Sequence, residues 1–222
     1  MSRIAVVGGH GQVARHLLVA LRRSAHDPVA LVRREEYRAE LESRGAEVRL
    51  LDIERDDAAA FASAFEGCDV VVFAAGGGPD GNRERKTTVD LEGSLKSIEG
   101  AREAGIDRLV QVSAINVDAP VPDGTDDVWR AYVEAKRDAD AAVRASDLAW
   151  TIIRPGRLTD DPARGLVSLG PDVARGDVTR ADVAAVLAAV LDEPGTVGKQ
   201  WNLVGGVTPV ADAVRQSSPS DE

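Results

Sequence analysis

The sequence predicts an α/β fold of Rossmann type: a doubly wound, mostly parallel sheet with a small C-terminal cap or extension. Three observations predict it. Short runs rich in Val and Ile alternate with longer segments of helical period, as repeated βαβ units require. Glycines cluster between the first of these runs and the first helix. The run Val70 to Ala75 is apolar throughout, as a strand covered on both faces should be.

The elements follow in order. Strand one is Ile4 to Val7, and Val13, Leu17, Leu18 and Leu21 then lay one apolar stripe along a helix. Val29 to Val32, Ala46 to Leu51 and Val70 to Ala75 make strands two to four, and a helix is expected to begin near Asp56. A long helix from about Lys86 to Ala104 stops at Gly105, before strand five at Leu109 to Ser113. Ala119 to Gly124, with two prolines, reads as a loop, and the next helix runs from about Asp126 to Ser146. Trp150 to Ile153 is strand six, ended sharply by Arg154, Pro155 and Gly156. A helix at Arg180 to Leu191 and a strand near Gln200 to Val204 complete the chain as a cap or sheet extension. The expected organisation is one domain over residues 1–215, substrate-side elements from about 155, and a flexible tail at 216–222.

Composition narrows the function. The 222 residues are 44% hydrophobic and 29% charged, enough for a sizeable core. A net charge of −10 repels a phosphate backbone and an anionic bilayer surface, so neither nucleic acid nor membrane is an expected partner. The longest apolar stretches are too short to span a bilayer. One cysteine, Cys68, allows no internal disulfide, and the start Met-Ser-Arg-Ile lacks a secretory apolar run, so a cytoplasmic location is expected.

Two motifs carry chemistry. Gly8, Gly11 and Ala14 stand three apart between strand and helix, where glycine lets the backbone approach a pyrophosphate and a helix N-terminus faces the anion. Gly9, His10, Gln12 and Val13 complete this turn, with the His10 side chain expected to face solvent. Strand two ends in Arg33 and Arg34 rather than a carboxylate, so guanidinium pairing with a 2′-phosphate favours NADP, with NAD as the alternative. The competing reading is a pair of solvated arginines neutralised by Glu35 and Glu36. Asp52 fits either an acceptor for an adenine amino group or an N-cap for the helix beginning near Asp56.

The second motif is Tyr132 and Lys136, four apart on one helix face. An ammonium beside a phenol brings its proton into use, making Tyr132 a candidate acid toward a carbonyl oxygen and Lys136 its electrostatic partner and a holder of ribose hydroxyls. Ser113, at the end of strand five, is a candidate hydrogen-bond donor to the same oxygen. Against this stands a packed tyrosine with a solvated lysine able to bridge Glu134 or Asp140. Trp129 reads as a loop or pocket wall and Trp150 as core.

Together GGHGQVARHL, LVR, LDI, FAAG, AGIDRLVQVSA, YVEAKRDAD and WTIIRPGRLTDDP resemble the atypical short-chain dehydrogenase/reductases, and more narrowly their small NAD(P)-binding, NmrA-like group. The resemblance implies that Gly8 to Val13 bind pyrophosphate, Arg33 the adenosine phosphate, Asp52 and Ile53 the adenine, and Ala74, Ala75 and Gly76 the back of the ribose. It implies catalytic roles for Ser113, Tyr132 and Lys136, and a turn at Arg154, Pro155 and Gly156 running past the nicotinamide.

The function expected first is therefore an NADP-dependent oxidoreductase acting on a small carbonyl or hydroxyl compound by Tyr-assisted hydride transfer. A non-catalytic NADP(H)-binding sensor is the alternative. A sugar-nucleotide epimerase comes third, because the short C-terminal segment leaves little to hold a second large ligand. The partner is a small-molecule substrate, and monomer and homodimer are both compatible with the predicted helices.

Overall fold

The computed structural model describes residues 1–78 and 81–218. The first βαβ unit is β1 (Arg3–Val7), α1 (Gln12–Arg23) and β2 (Asp27–Val32). A 3-10 turn at Glu35–Tyr37 and the short α2 (Arg38–Ser43) lead to β3 (Glu47–Leu50), α3 (Ala58–Phe65) and β4 (Val70–Phe73). A π-helical turn at Lys86–Leu91 runs directly into α4 (Glu92–Glu103), followed by β5 (Arg108–Val112), α5 (Asp127–Ala145) and β6 (Ala149–Pro155). Then come β7 (Arg157–Thr159), β8 (Leu166–Gly170), β9 (Asp177–Thr179), α6 (Arg180–Asp192), β10 (Lys199–Gly205), β11 (Thr208–Pro209) and α7 (Val210–Ser217).

Nine strands form one sheet in the order β11-β8-β10-β6-β5-β4-β1-β2-β3, and β7 pairs with β9 separately. All pairings from β3 across to β10 are parallel; β8 and β11 extend the edge antiparallel. The strand order reverses between β1 and β4, the place where doubly wound sheets open a ligand crevice at their C-terminal ends.

Both faces are covered, which is why the central strands read as continuous apolar runs. In β1, Ile4 and Val6 belong to the core beneath α1, α6 and α7, with Leu17, Leu18, Leu21 and Val183. Ala5 and Val7 belong to the opposite core with Phe61 and Phe65 of α3, Ile98 of α4 and Val143 of α5. Among the described residues no helix is long and apolar enough to cross a membrane.

Several expectations are corrected. Strand four ends at Phe73, releasing Ala74 to Gly78 as irregular chain. The helix after β3 starts at Ala58 and is capped by Asp57, whose carboxylate accepts from Ala60 N at 3.0 Å, so Asp52 is not its N-cap. Trp129 lies in the first turn of α5 rather than a loop. Gln216 and Ser217, expected in a flexible tail, belong to α7; the Ser217 hydroxyl donates to Leu169 O at 3.1 Å and Ser218 is buried. Residues 219–222 of that expected tail lie outside the described residues.

Candidate active site

The turn after β1 is built from backbone. Gly8 adopts φ +79°, and a Cβ there would sit 2.8 Å from Ala75 in the chain leaving β4, so only glycine lets the two segments approach. Gly9 lies against Ala30 of β2, and Gly11 N donates to Gly8 O at 2.8 Å, closing the turn. Gly11 is also the N-cap of α1, where no side chain caps the helix and no acidic residue occupies the first turn. Gln12 and Val13 open that turn, presenting the amide end of the helix dipole to an anion.

A cleft of about 280 Å³ opens beside this turn at the β1/β4 reversal. It gathers Gly8, His10, Gly11, Arg33, Asp52, Ile53, Ala74, Ala75 and Gly76 of the sequence candidates. Tyr37, Glu54, Arg85 and Val89 line it as well and were not among them. The residues present fit a dinucleotide: a glycine cradle, a helix N-terminus and an apolar-edged slot lie together.

On the outer side of the cleft, Arg33 is half exposed, with its Nη1 3.6 Å from Glu54 Oε2. Glu35 and Glu36 do not neutralise it; Glu36 pairs with Arg34 at 3.1 Å and Glu35 with Arg38. Asp52 is half-buried, and its Oδ1 accepts from Glu54 N at 3.1 Å, tightening the turn after β3. His10 does not face open solvent. Its ring stacks on Tyr37 with centroids 3.6 Å apart and planes within 3°, and its Nε2 lies 3.2 Å from Glu40 Oε2.

Behind the chain that leaves β4 stands α5, which contributes no residue to the cleft lining. Asp126 caps that helix by accepting from Val128 N and Trp129 N, each at 3.0 Å, which fixes where Tyr132 and Lys136 emerge. Lys136 is buried and makes an ion pair with Asp90, 3.0 Å from Nζ to Oδ1. Its ammonium also donates to Val112 O at 3.1 Å and reaches Ala75 O at 3.5 Å. Asp90 comes from the π-helical turn, and its other oxygen accepts from Gly77 N at 2.9 Å, so the pair ties α5 to the chain leaving β4.

Burial works hardest against the Lys136 charge, but Asp90, Tyr132 and Asp140 outweigh it and the pKa lies above the ordinary lysine value. Tyr132 is half-buried, with its ring 5.2 Å from that of Trp129. Burial raises the phenol pKa above its usual value; Lys136 pulls it down, and Asp90 and Asp140 add to the rise.

Ser113 is buried, and its hydroxyl donates to Asp140 Oδ2 at 2.7 Å. The proton expected on a substrate oxygen is thus directed at a carboxylate, which can only accept. Asp140 also accepts from Gln111 Nε2 at 2.9 Å and Arg154 Nε at 2.8 Å. Pro155 ends β6, and its carbonyl accepts from Ile115 N at 3.0 Å, holding the loop after β5 against the strand end.

The comparisons with known proteins agree with this geometry. The chain matches a family described as NAD(P)H-binding over residues 8–194. It is 37% identical over 215 residues to a Bacillus subtilis (strain 168) protein called an uncharacterized sugar epimerase, covering 96% of this chain and 99% of that one. A solved structure described as a putative NAD-dependent epimerase/dehydratase from Bacillus halodurans superposes with a TM-score of 0.90 at 38% identity, covering 97% and 100% of the two chains. An oxidoreductase from Lactococcus lactis superposes with a TM-score of 0.84 at 25% identity, covering 96% and 95%. With its reversal-point cleft, glycine turn and family match, the chain belongs to the NAD(P)H-binding family, in an atypical short-chain dehydrogenase/reductase-like group.

Proposed function

We propose that the protein is an oxidoreductase that uses NADP, in preference to NAD, to interconvert a small carbonyl compound and its alcohol. The observation that carries this reading is the reach of Lys136 Nζ to Ala75 O. Ala75 lines the cleft, so Lys136 touches the cleft wall from behind through that carbonyl, and Tyr132 stands one turn before it on the same helix face; neither side chain lines the cleft itself. When bound, the reduced nicotinamide supplies a hydride to the carbonyl carbon. Tyr132 gives its proton to the carbonyl oxygen, completing the alcohol, and regains one from solvent. Lys136 holds positive charge beside the phenolate left behind. A raised phenol pKa keeps that proton in place through neutral pH, which suits the reductive direction. Arg33, at a strand end without a carboxylate, supports the preference for a 2′-phosphate.

Replacing Tyr132 by Phe tests this. The expected result is a fall in carbonyl reduction of about 10²-fold or more with NADPH affinity unchanged. Unaltered turnover overturns the role of Tyr132; NADPH binding without turnover across a carbonyl panel would favour a sensor. The names carried by the two Bacillus relatives favour epimerisation as a second reading, in which coenzyme stays bound and its absorbance shows no net change over many turnovers.

A further inference from the structure

The end of β6 carries a buried cation that the proposed chemistry does not use. Arg154 is 5% exposed, yet only part of its guanidinium is engaged. Nε donates to Asp140 Oδ2 at 2.8 Å and Nη1 to Asp118 Oδ2 at 2.6 Å. Nη2 is buried without a hydrogen-bond partner among the described residues. A guanidinium matches a carboxylate best when two of its nitrogens meet two oxygens in parallel, and here the Nη1–Nη2 edge is half used.

The two carboxylates differ in kind. Asp140 is fully buried and accepts from Ser113 and Gln111 as well, so it is a fixed part of the interior. The Asp118 side chain is 53% exposed, sits on the loop after β5, and meets the guanidinium through one nitrogen. Of the two carboxylate partners of Arg154, only Asp118 reaches solvent. Asp118 and Asp140 both pair with Arg154, and Arg144 and Arg137 also act on Asp118; an incoming carboxylate that exchanges with Asp118 leaves this local charge unchanged.

We propose that Arg154 is the anchor for a carboxylate on the substrate, and that Asp118 holds that place in the free protein as a displaceable stand-in. Once Asp118 swings outward, the incoming carboxylate takes both Nη1 and Nη2. The assignment rests on the oxidoreductase reading and narrows its substrate to keto or hydroxy acids. Arg154 and Ser113 share one oxygen of Asp140, so an acid group held there lies beside the end of β5.

The test is saturation-transfer NMR with pyruvate as probe and acetone as its uncharged counterpart, on wild type, Asp118→Ala, Asp118→Asn and Asp118→Ala/Arg154→Gln. Titrations are run on the free protein and again with NADPH. Asp118→Ala is expected to bind pyruvate at least about tenfold more tightly than wild type, with acetone unaffected and the gain lost when Arg154 is also replaced. Asp118→Asn, which keeps a neutral acceptor, should gain less. An Asp118→Ala protein that binds pyruvate no more tightly than wild type overturns the proposal, as does an equal gain for inorganic phosphate. Should the double variant fail to fold, the order of the two Asp118 variants decides. Because the free-protein titrations need no coenzyme, absence of NADPH binding would sink the oxidoreductase reading and leave this result readable.

Discussion

Lys136 and Asp90 form an interior ion pair, 3.0 Å from Nζ to Oδ1, that joins α5 to the π-helical turn before α4. Neither partner is tolerated there alone, because an uncompensated buried charge costs far more than a satisfied pair contributes. Asp90→Asn should therefore destabilise the fold by about 3–5 kcal/mol, read from urea unfolding. It should also lower the Tyr132 pKa, because one of the two carboxylates raising it has gone; phenolate absorbance follows this directly. A variant as stable as wild type would show that the pair is dispensable.

Alkaline lability follows from the same groups. The Lys136 and Tyr132 pKa values both lie above their ordinary values, so the folded state binds these protons more tightly than the unfolded chain. Their contribution is complete below about pH 10 and is lost as pH rises through the shifted values. On the acid side Asp118, held low chiefly by Arg154, contributes above the usual carboxylate range and loses that contribution as pH falls through its depressed value. Thermal unfolding across pH should show a broad plateau with an alkaline limb that is shallower in Tyr132→Phe.

Gly8→Ala tests the turn. A side chain at φ +79° is strained, and its Cβ would meet Ala75 at 2.8 Å. Stability should fall by about 2 kcal/mol and NADPH affinity should fall with it, as calorimetry of both would show. Unchanged affinity would mean that the pyrophosphate binds elsewhere.

Arg33→Ala tests the coenzyme preference. Loss of a guanidinium from the 2′-phosphate should weaken NADPH binding about tenfold and leave NADH within about twofold. Equal weakening of both would assign Arg33 to the adenosine instead.

The central strands were legible along the chain because a strand buried on two faces must be apolar along its length, as Ala5, Val6 and Val7 are. The turn at Gly8 and the spacing of Tyr132 and Lys136 were legible because both are local. What was not legible depends on residues far apart in sequence. Asp90 finds Lys136 only after the π-helical turn reorients it, and Tyr37 finds His10 across two elements. Asp140 follows Lys136 by four residues, so its spacing extends the stripe of Tyr132 and Lys136 along an otherwise Ala- and Val-rich helix face. The acceptor that Ser113 meets in the free protein was not legible either, because Asp140 lies 27 residues away.

The most direct measurement is a fluorescence titration of the protein with NADPH, alongside NADH and the Gly8→Ala variant. Saturable binding in the micromolar range is expected, tighter for NADPH than for NADH and weakened in the variant. No association of either coenzyme up to about millimolar concentration would contradict the account.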